Sequence, residues 1–393
     1  MGKPRLLFVS QQFLFPADAG GKIRTAGILR GMKGGLFDIT LASPAASGAP
    51  ERCARELAEI CDRFAAWPET RPGFARRSAA LVSRLPYSVA LDRSTDGRRV
   101  IRALLGEGFD LVVADFVHAA VLFDRIPPGA VLFTHNVEAE IYARHAKHAR
   151  SRFARAVWRG QRRKMAEFEA RTLPQFAKVI AVSERDLGFF LETYGVRGAE
   201  AIPTGVDLEY FGAGATAPCR APNAHGGEIV FTGSMDWPAN VDAMQFCMDA
   251  IWPAIAAARP GAWLTVVGRD PPAALVARAT SRGLNWRFTG LVKDVRPYVR
   301  EADVYIVPLR VGGGTRLKIY EAMAMRRPVV STSIGVEGLP VEPGNHYRRA
   351  DRPADFAAEV LGLLDAPQAA AEMAEDAYDF ILKRYSSRRV ARI

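Results

Sequence analysis

Residues 308–324 read Pro308-Leu-Arg-Val-Gly-Gly-Gly-Thr-Arg-Leu-Lys-Ile-Tyr-Glu-Ala-Met-Ala324. The apolar run from Val304 to Pro308 predicts a buried strand. Three glycines follow, and a helical pattern then begins with Thr315 placed to cap it. A strand feeding a loop and then a helix is one unit of a parallel, helix-covered sheet. Gly312, Gly313 and Gly314 let a ligand approach the backbone, and the helix start offers free N–H groups to an anion. Arg316 and Lys318 add positive charge in the first turns, and Glu321 follows Lys318 at i+3 on the same face. An acidic acceptor one turn beyond an anion cradle suits a ribose diol. The same residues also fit a plain glycine-rich connector with a solvated Lys–Glu pair. The run has neither the order of a P-loop nor G-x-G-x-x-G.

The unit repeats along the chain. Upstream of this stretch, strands are predicted at Glu228 to Thr232, Ala262 to Val267 and Trp286 to Phe288, and downstream at Pro328 to Ser331, with helical stretches among them. Earlier still, strands are predicted at Leu6 to Ser10, Phe37 to Leu41, Asp110 to Ala114, Val131 to Thr134 and Lys178 to Val182. Ser183, with Asp186 three residues on, caps the helix after the last of these. Two such runs predict an α/β chain of two doubly wound, Rossmann-like domains facing a cleft. The first spans 1–203. A linker rich in Gly and Pro spans 204–227. The second domain, with terminal helices, spans 228–393. Ligands of open α/β sheets sit outside the carboxyl ends of the strands, so the chemistry is sought in those loops.

Two further loops qualify in the first domain. Gly20 and Gly21 follow the first strand, with Lys22 and Arg24 making the loop basic. His135 follows the strand at Val131 to Thr134; it reads either as an active-site histidine or as a satisfied loop residue. His118, also after a strand, is the weaker candidate.

The chain has 393 residues and a net charge of +11. Nine Lys or Arg and no acid occur between positions 141 and 166, leaving about +2 elsewhere, so the charge is one segment. Apolar residues recur there at three- and four-residue steps (Phe153, Val157, Trp158, Met165, Phe168), which predicts one amphipathic helix whose cationic face suits either an anionic membrane surface or plain solvation. No reader motif for nucleic acid accompanies it. Cys53, Cys61, Cys219 and Cys247 lack metal-ligand spacing, so no metal is expected. The longest apolar stretch falls short of the ~20 residues of a membrane span. Nothing near Met1 reads as a signal peptide, which predicts a cytoplasmic chain.

Several stretches carry a resemblance. They are Gly290-Leu-Val-Lys-Asp-Val, Ala302-Asp-Val-Tyr-Ile-Val-Pro-Leu-Arg, the quoted glycine run, Gly335-Val-Glu-Gly-Leu, Thr204-Gly-Val-Asp-Leu-Glu-Tyr-Phe and Phe231-Thr-Gly-Ser-Met-Asp-Trp-Pro-Ala-Asn-Val-Asp-Ala. Together they resemble the retaining, family 4 nucleotide-sugar glycosyltransferases of GT-B architecture, nearest the branch associated with bacterial exopolysaccharide and exosortase systems. The resemblance implies transfer of a hexose from a nucleotide diphosphate sugar to a hydroxyl acceptor, lipid-linked or glycan, at the inner face of the membrane, without metal or other cofactor. It implies that Glu321 binds the ribose. His135 would contact the transferred sugar or acceptor. Arg316 and Lys318 would stabilise the leaving diphosphate, with Arg310 as a further cation and the Gly20–Gly21 loop against it. The family's first Glu of its Glu pair falls at Gly313 and is absent here. Its usual Arg and Lys after the second domain's first strand are also absent, and Ser234 and Asn240 stand near those places. Two other readings share the scaffold: a nucleotide-sugar epimerase, which would need further acid–base carboxylates, and a non-catalytic peripheral membrane protein.

Overall fold

Leu6, Leu7 and Val9 are fully buried and Phe8 nearly so. A strand closed off on both faces belongs inside a helix-covered parallel sheet. The computed structural model describes residues 2–17, 20–70, 72–149, 151–214, 226–311, 316–390 and 392. These divide into two units, one of residues 1–205 with 387–393 and one of residues 206–386.

The first unit is built on β1 (Arg5–Ser10), β2 (Asp38–Ala45), β3 (Arg63–Pro68), β4 (Leu111–Asp115), β5 (Val131–Phe133), β6 (Lys178–Ala181) and β7 (Ala199–Ala201). Their order is β3-β2-β1-β4-β5-β6-β7, all parallel. From β1 the chain runs outward one way to β3, then returns to β4 and runs the other way. The crevice beyond the carboxyl ends of β1 and β4 is therefore the switch point where such sheets take ligands. Register sets Ser10 beside Asp115 there.

The second unit holds β8 (Glu228–Thr232), β9 (Trp263–Val267), β10 (Trp286–Phe288), β11 (Val304–Val307), β12 (Val329–Ser331) and β13 (Arg348–Arg349). Their order is β10-β9-β8-β11-β12-β13, again all parallel, with the switch point between β8 and β11. Helices Pro353–Asp365 and Pro367–Arg384 complete this unit.

Several expectations change. The chain's last helix, Ser387–Val390, belongs to the first unit, where it packs on helix Gly20–Met32. Gly205 lies so close to Ser387 that a Cβ there would meet its Cα at 2.8 Å. Chain order alone carries no sign of that return. The expected linker is in part structured: the Val206 amide donates to the Tyr385 carbonyl at 2.8 Å, and Leu208–Gly212 is a short helix capped by Asp207. Residues 215–225 of it lie outside the described residues. The basic stretch is two helices, Glu138–His148 and Arg152–Thr172, packed on each other. Ser151 ends the continuity by capping the second, its Oγ accepting from the Ala154 amide at 3.0 Å. The Ser183 cap forms as expected, on the Asp186 amide at 3.2 Å. Strands β3, β7 and β13 carry too little periodic apolar sequence to be read in advance.

Candidate functional site

In the second unit, β11 leads past residues 312–315 into helix Leu317–Ala324. Gly312, Gly313, Gly314 and Thr315 lie outside the described residues. Arg316 is the residue just before the helix, in the N-cap position rather than in its first turn. Lys318 points back across the switch point. Its Nζ donates to the Thr232 carbonyl at the end of β8 (2.6 Å) and to Asn240 Oδ1 (3.2 Å), and it sits 4.3 Å over the Phe231 ring. Asn240 is held in turn by its own Nδ2, which donates to the Ser234 carbonyl at 2.8 Å. This fit requires the bare backbone of Gly233, where a Cβ would lie 2.8 Å from Lys318 Nζ and 2.7 Å from Asn240 Nδ2.

Glu321 stands one turn beyond Lys318, half-buried. Burial pulls the Lys318 ammonium down to about 7; Arg316 adds to the shift and Glu321 opposes it. Burial also pushes the Glu321 carboxyl up to about 7, against the attraction of Lys318. An ammonium and a carboxylate both kept short of full charge lose that penalty when a ligand brings the complementary groups. Arg310 is otherwise engaged. Its guanidinium forms a two-point pair with Asp242 (3.1 and 2.7 Å) over the Phe246 ring. Ser234 donates to Asp236 at 2.6 Å.

In the first unit, Gly20 and Gly21 are the first residues of a helix rather than part of a loop. His135 follows β5 and is buried. Its Nε2 lies 2.7 Å from Asp115 Oδ1 at the end of β4. Asp115 has no exposed surface and also accepts from Ser10 Oγ (3.0 Å) and Thr25 Oγ1 (3.2 Å). Burial lowers the His135 pKa more than Asp115 raises it, so the ring is neutral at pH 7. A neutral ring donating from Nε2 leaves Nδ1 as an acceptor. The Phe116 ring stacks on His135 with centroids 3.8 Å apart. Phe116 holds φ at +65°, a strained backbone for any side chain but glycine. Gly21 is required by the same packing: a Cβ there would meet Phe116 Cζ at 2.8 Å and His135 Nδ1 at 3.6 Å. The acceptor nitrogen thus faces the helix start.

Arg24, expected to make the Gly20–Gly21 segment basic, has its Nη donors engaged inside the unit. It is buried, donates to the Thr134 and Ile202 carbonyls (2.7 and 2.9 Å), and stacks over Phe133. Burial brings its guanidinium down to about 9. Lys22 donates to the Pro16 carbonyl at 3.3 Å. His118 is buried against Asp92 at 2.7 Å, away from the Asp115–His135 pair in its bonding.

Sequence reading missed Asp115, Thr25, Phe116 and the tie between Asn240 and Lys318. Asp115 carried one available signal, an acid at the carboxyl end of a predicted strand next to the first. Among the described residues, no group of three or more His, Cys, Asp or Glu is placed to hold a metal ion. No described helix is long and apolar enough to cross a membrane.

Residues 28–210 match the family model described as Glycosyltransferase Family 4, and residues 226–366 match the model described as Glycosyl transferases group 1. A Klebsiella pneumoniae protein described as an uncharacterized 44.6 kDa protein in cps region is 24% identical over 172 residues, 42% of this chain. The match spans 44% of that relative's length. Sucrose-phosphate synthase from Thermosynechococcus elongatus superposes with a TM-score of 0.68 at 16% identity, over 99% of this chain and 96% of its own. Anabaena HepE, solved with UDP-glucose, gives 0.67 at 15% identity, over 99% and 97%. TarM gives 0.71 at 9% identity, over 100% and 98%. At such identities the solved structures establish a common fold, and both domain models that match are described as glycosyltransferases.

Proposed function

We propose that this chain, a glycosyltransferase of GT-B architecture, moves a hexose from a nucleotide diphosphate sugar to a hydroxyl acceptor, with retention at the anomeric carbon and without a metal ion. The observation that carries the reading is the Lys318–Glu321 pair. A cation and a carboxyl, both displaced toward neutrality by burial, lie one helical turn apart at the switch point of the domain matched as group 1. That arrangement suits a diphosphate and a ribose diol.

In this reading Glu321 accepts from the ribose hydroxyls. Lys318 and Arg316, with the glycine run 312–314 and Thr315, stabilise charge as it builds on the departing diphosphate. The bond from the anomeric carbon to the phosphate oxygen breaks, and the acceptor oxygen bonds to that carbon on the same face. The acceptor proton passes to the departing phosphate oxygen, so no protein base is consumed. In the first unit, His135 Nδ1 accepts from a sugar or acceptor hydroxyl, with open space beside Gly20 at the helix start. UDP-sugars are the first donors to test, since HepE has been solved with UDP-glucose. The family resemblance supports polysaccharide or glycolipid assembly as the setting, with the enzyme working in the cytoplasm at the inner membrane face on a lipid-linked or glycan acceptor.

The test is a thermal-shift panel of UDP, GDP, ADP and TDP followed by donor hydrolysis. A ligand at 100 times its dissociation constant adds about 2.7 kcal/mol, a shift of several degrees. No shift with any nucleotide, together with no hydrolysis of any donor, overturns the reading.

A further inference from the structure

Helix Glu138–His148 begins without a cap of its own. The residue before it is Val137, whose side chain is apolar and buried in the core. Every helix start leaves amides without an intrahelical partner. Here two of them are met by Glu169, on helix Arg152–Thr172. The Glu138 amide donates to Glu169 Oε1 at 2.8 Å, and the Ala139 amide donates to Oε2 at 3.1 Å. Tyr194, at the end of helix Glu184–Tyr194, donates its hydroxyl to the same Oε2 at 2.9 Å. Glu169 itself is 1% exposed.

In this arrangement all three groups donate, and the ionised carboxyl is the form with an acceptor for each. Burial and the neighbouring Glu138 push that carboxyl up to about 7, against the three bonds, so it is mostly ionised at pH 8. A buried charge is a costly way to cap a helix. The next two helices do it with a local hydroxyl: Ser151 Oγ accepts from the Ala154 amide and Ser183 Oγ from the Asp186 amide. What the costlier device adds is a tie between the helix start and a distant element.

The segment so tied is the short turn 134–137, which carries His135. Before His135, the Thr134 amide and Oγ1 donate to the Ile180 carbonyl at 2.9 and 2.8 Å, and Arg24 donates to the Thr134 carbonyl at 2.7 Å. After His135, the first two amides of the helix are held by Glu169. The turn is pinned at both ends, and the imidazole it carries meets Asp115 at 2.7 Å.

We infer that Glu169 is a positioning residue for His135: its carboxylate fixes the start of helix Glu138–His148, and with it the turn that sets the imidazole against Asp115. This rests on the role proposed above for His135 and adds the group that holds its backbone in place.

The test uses the full chain at pH 8. Glu169→Gln keeps the shape of the side chain but leaves one oxygen for three donors. Transfer at saturating donor should fall about tenfold or more, while UDP affinity stays within about twofold. A cap that served stability alone would lower the melting temperature and leave the turnover of the folded enzyme as it was. In a His135→Ala background the same substitution should cost nothing further, since both changes act through one group. Isotope-labelled histidine gives a readout independent of activity. The ring-nitrogen signals of His135, assigned by their loss in His135→Ala, should move in Glu169→Gln. Tyr194→Phe removes one donor from Oε2 and should move them the same way by less; it carries the test if the Gln variant does not fold. The inference is overturned by His135 signals that stay in place in the folded variants. It is also overturned by a Glu169→Gln cost as large without His135 as with it. Failure of the enzymatic reading would appear separately, as His135 signals that move in a chain that transfers no sugar.

Discussion

His135 Nε2 lies 2.7 Å from Asp115 Oδ1, and neither residue has more than a few per cent of its surface in water. The carboxylate, held by Ser10 and Thr25, fixes which imidazole nitrogen carries the proton and leaves Nδ1 free to accept. Asp115 is a positioning residue in this scheme. Asp115→Asn, with its amide turned to donate, would reverse the tautomer. Transfer should fall by about tenfold or more, while nucleotide affinity, read by calorimetry, stays within twofold. Unchanged turnover in a folded Asp115→Asn variant would remove the dyad from the chemistry.

Glu321→Ala should weaken binding of the nucleotide diphosphate about tenfold or more, because a hydrogen bond to a charged acceptor is lost. Competition with a labelled nucleotide measures it. An unaltered dissociation constant excludes Glu321 as the ribose ligand.

Lys318 gives a pH signature. Its pKa in the free protein is held near 7 by burial, and a bound diphosphate raises it. Binding between pH 7 and the higher value in the complex therefore takes up a proton. Affinity should decline as pH rises from 7 toward 9, by up to about tenfold per unit. Lys318→Arg, charged throughout this range, should flatten the decline. Titrations at pH 7, 8 and 9 with no trend would show that Lys318 does not touch the phosphates.

Gly233→Ala places a Cβ 2.8 Å from Lys318 Nζ and 2.7 Å from Asn240 Nδ2. Either Lys318 moves or the backbone does. Nucleotide affinity should drop with the lysine itself untouched, and a variant binding as tightly as the parent would mean that the carbonyl contacts of Lys318 are incidental.

Treatment with EDTA should leave transfer intact. Loss of activity restored by a divalent ion would contradict the metal-free scheme.

What local sequence determined was the alternation of buried strands and helices, and with it two parallel sheets whose ligand loops follow β1, β5 and β11. Periodicity suffices for that, because a strand buried on both faces must be continuously apolar and a helix repeats every 3.6 residues. The same periodicity put Lys318 and Glu321 on one helix face. Tertiary structure alone decided which partners the charged side chains take. Arg24 and Arg310 read as ligand cations in the sequence, yet one is spent on backbone carbonyls and the other on Asp242. It also decided the pairing of Asp115 with His135, 20 residues apart at the ends of neighbouring strands, and the approach of Lys318 to Asn240, 78 residues away. The return of Ser387–Val390 to the first unit belongs with them. Register between strands and the depth of burial are set by contacts among distant segments, so no window of neighbouring residues contains them.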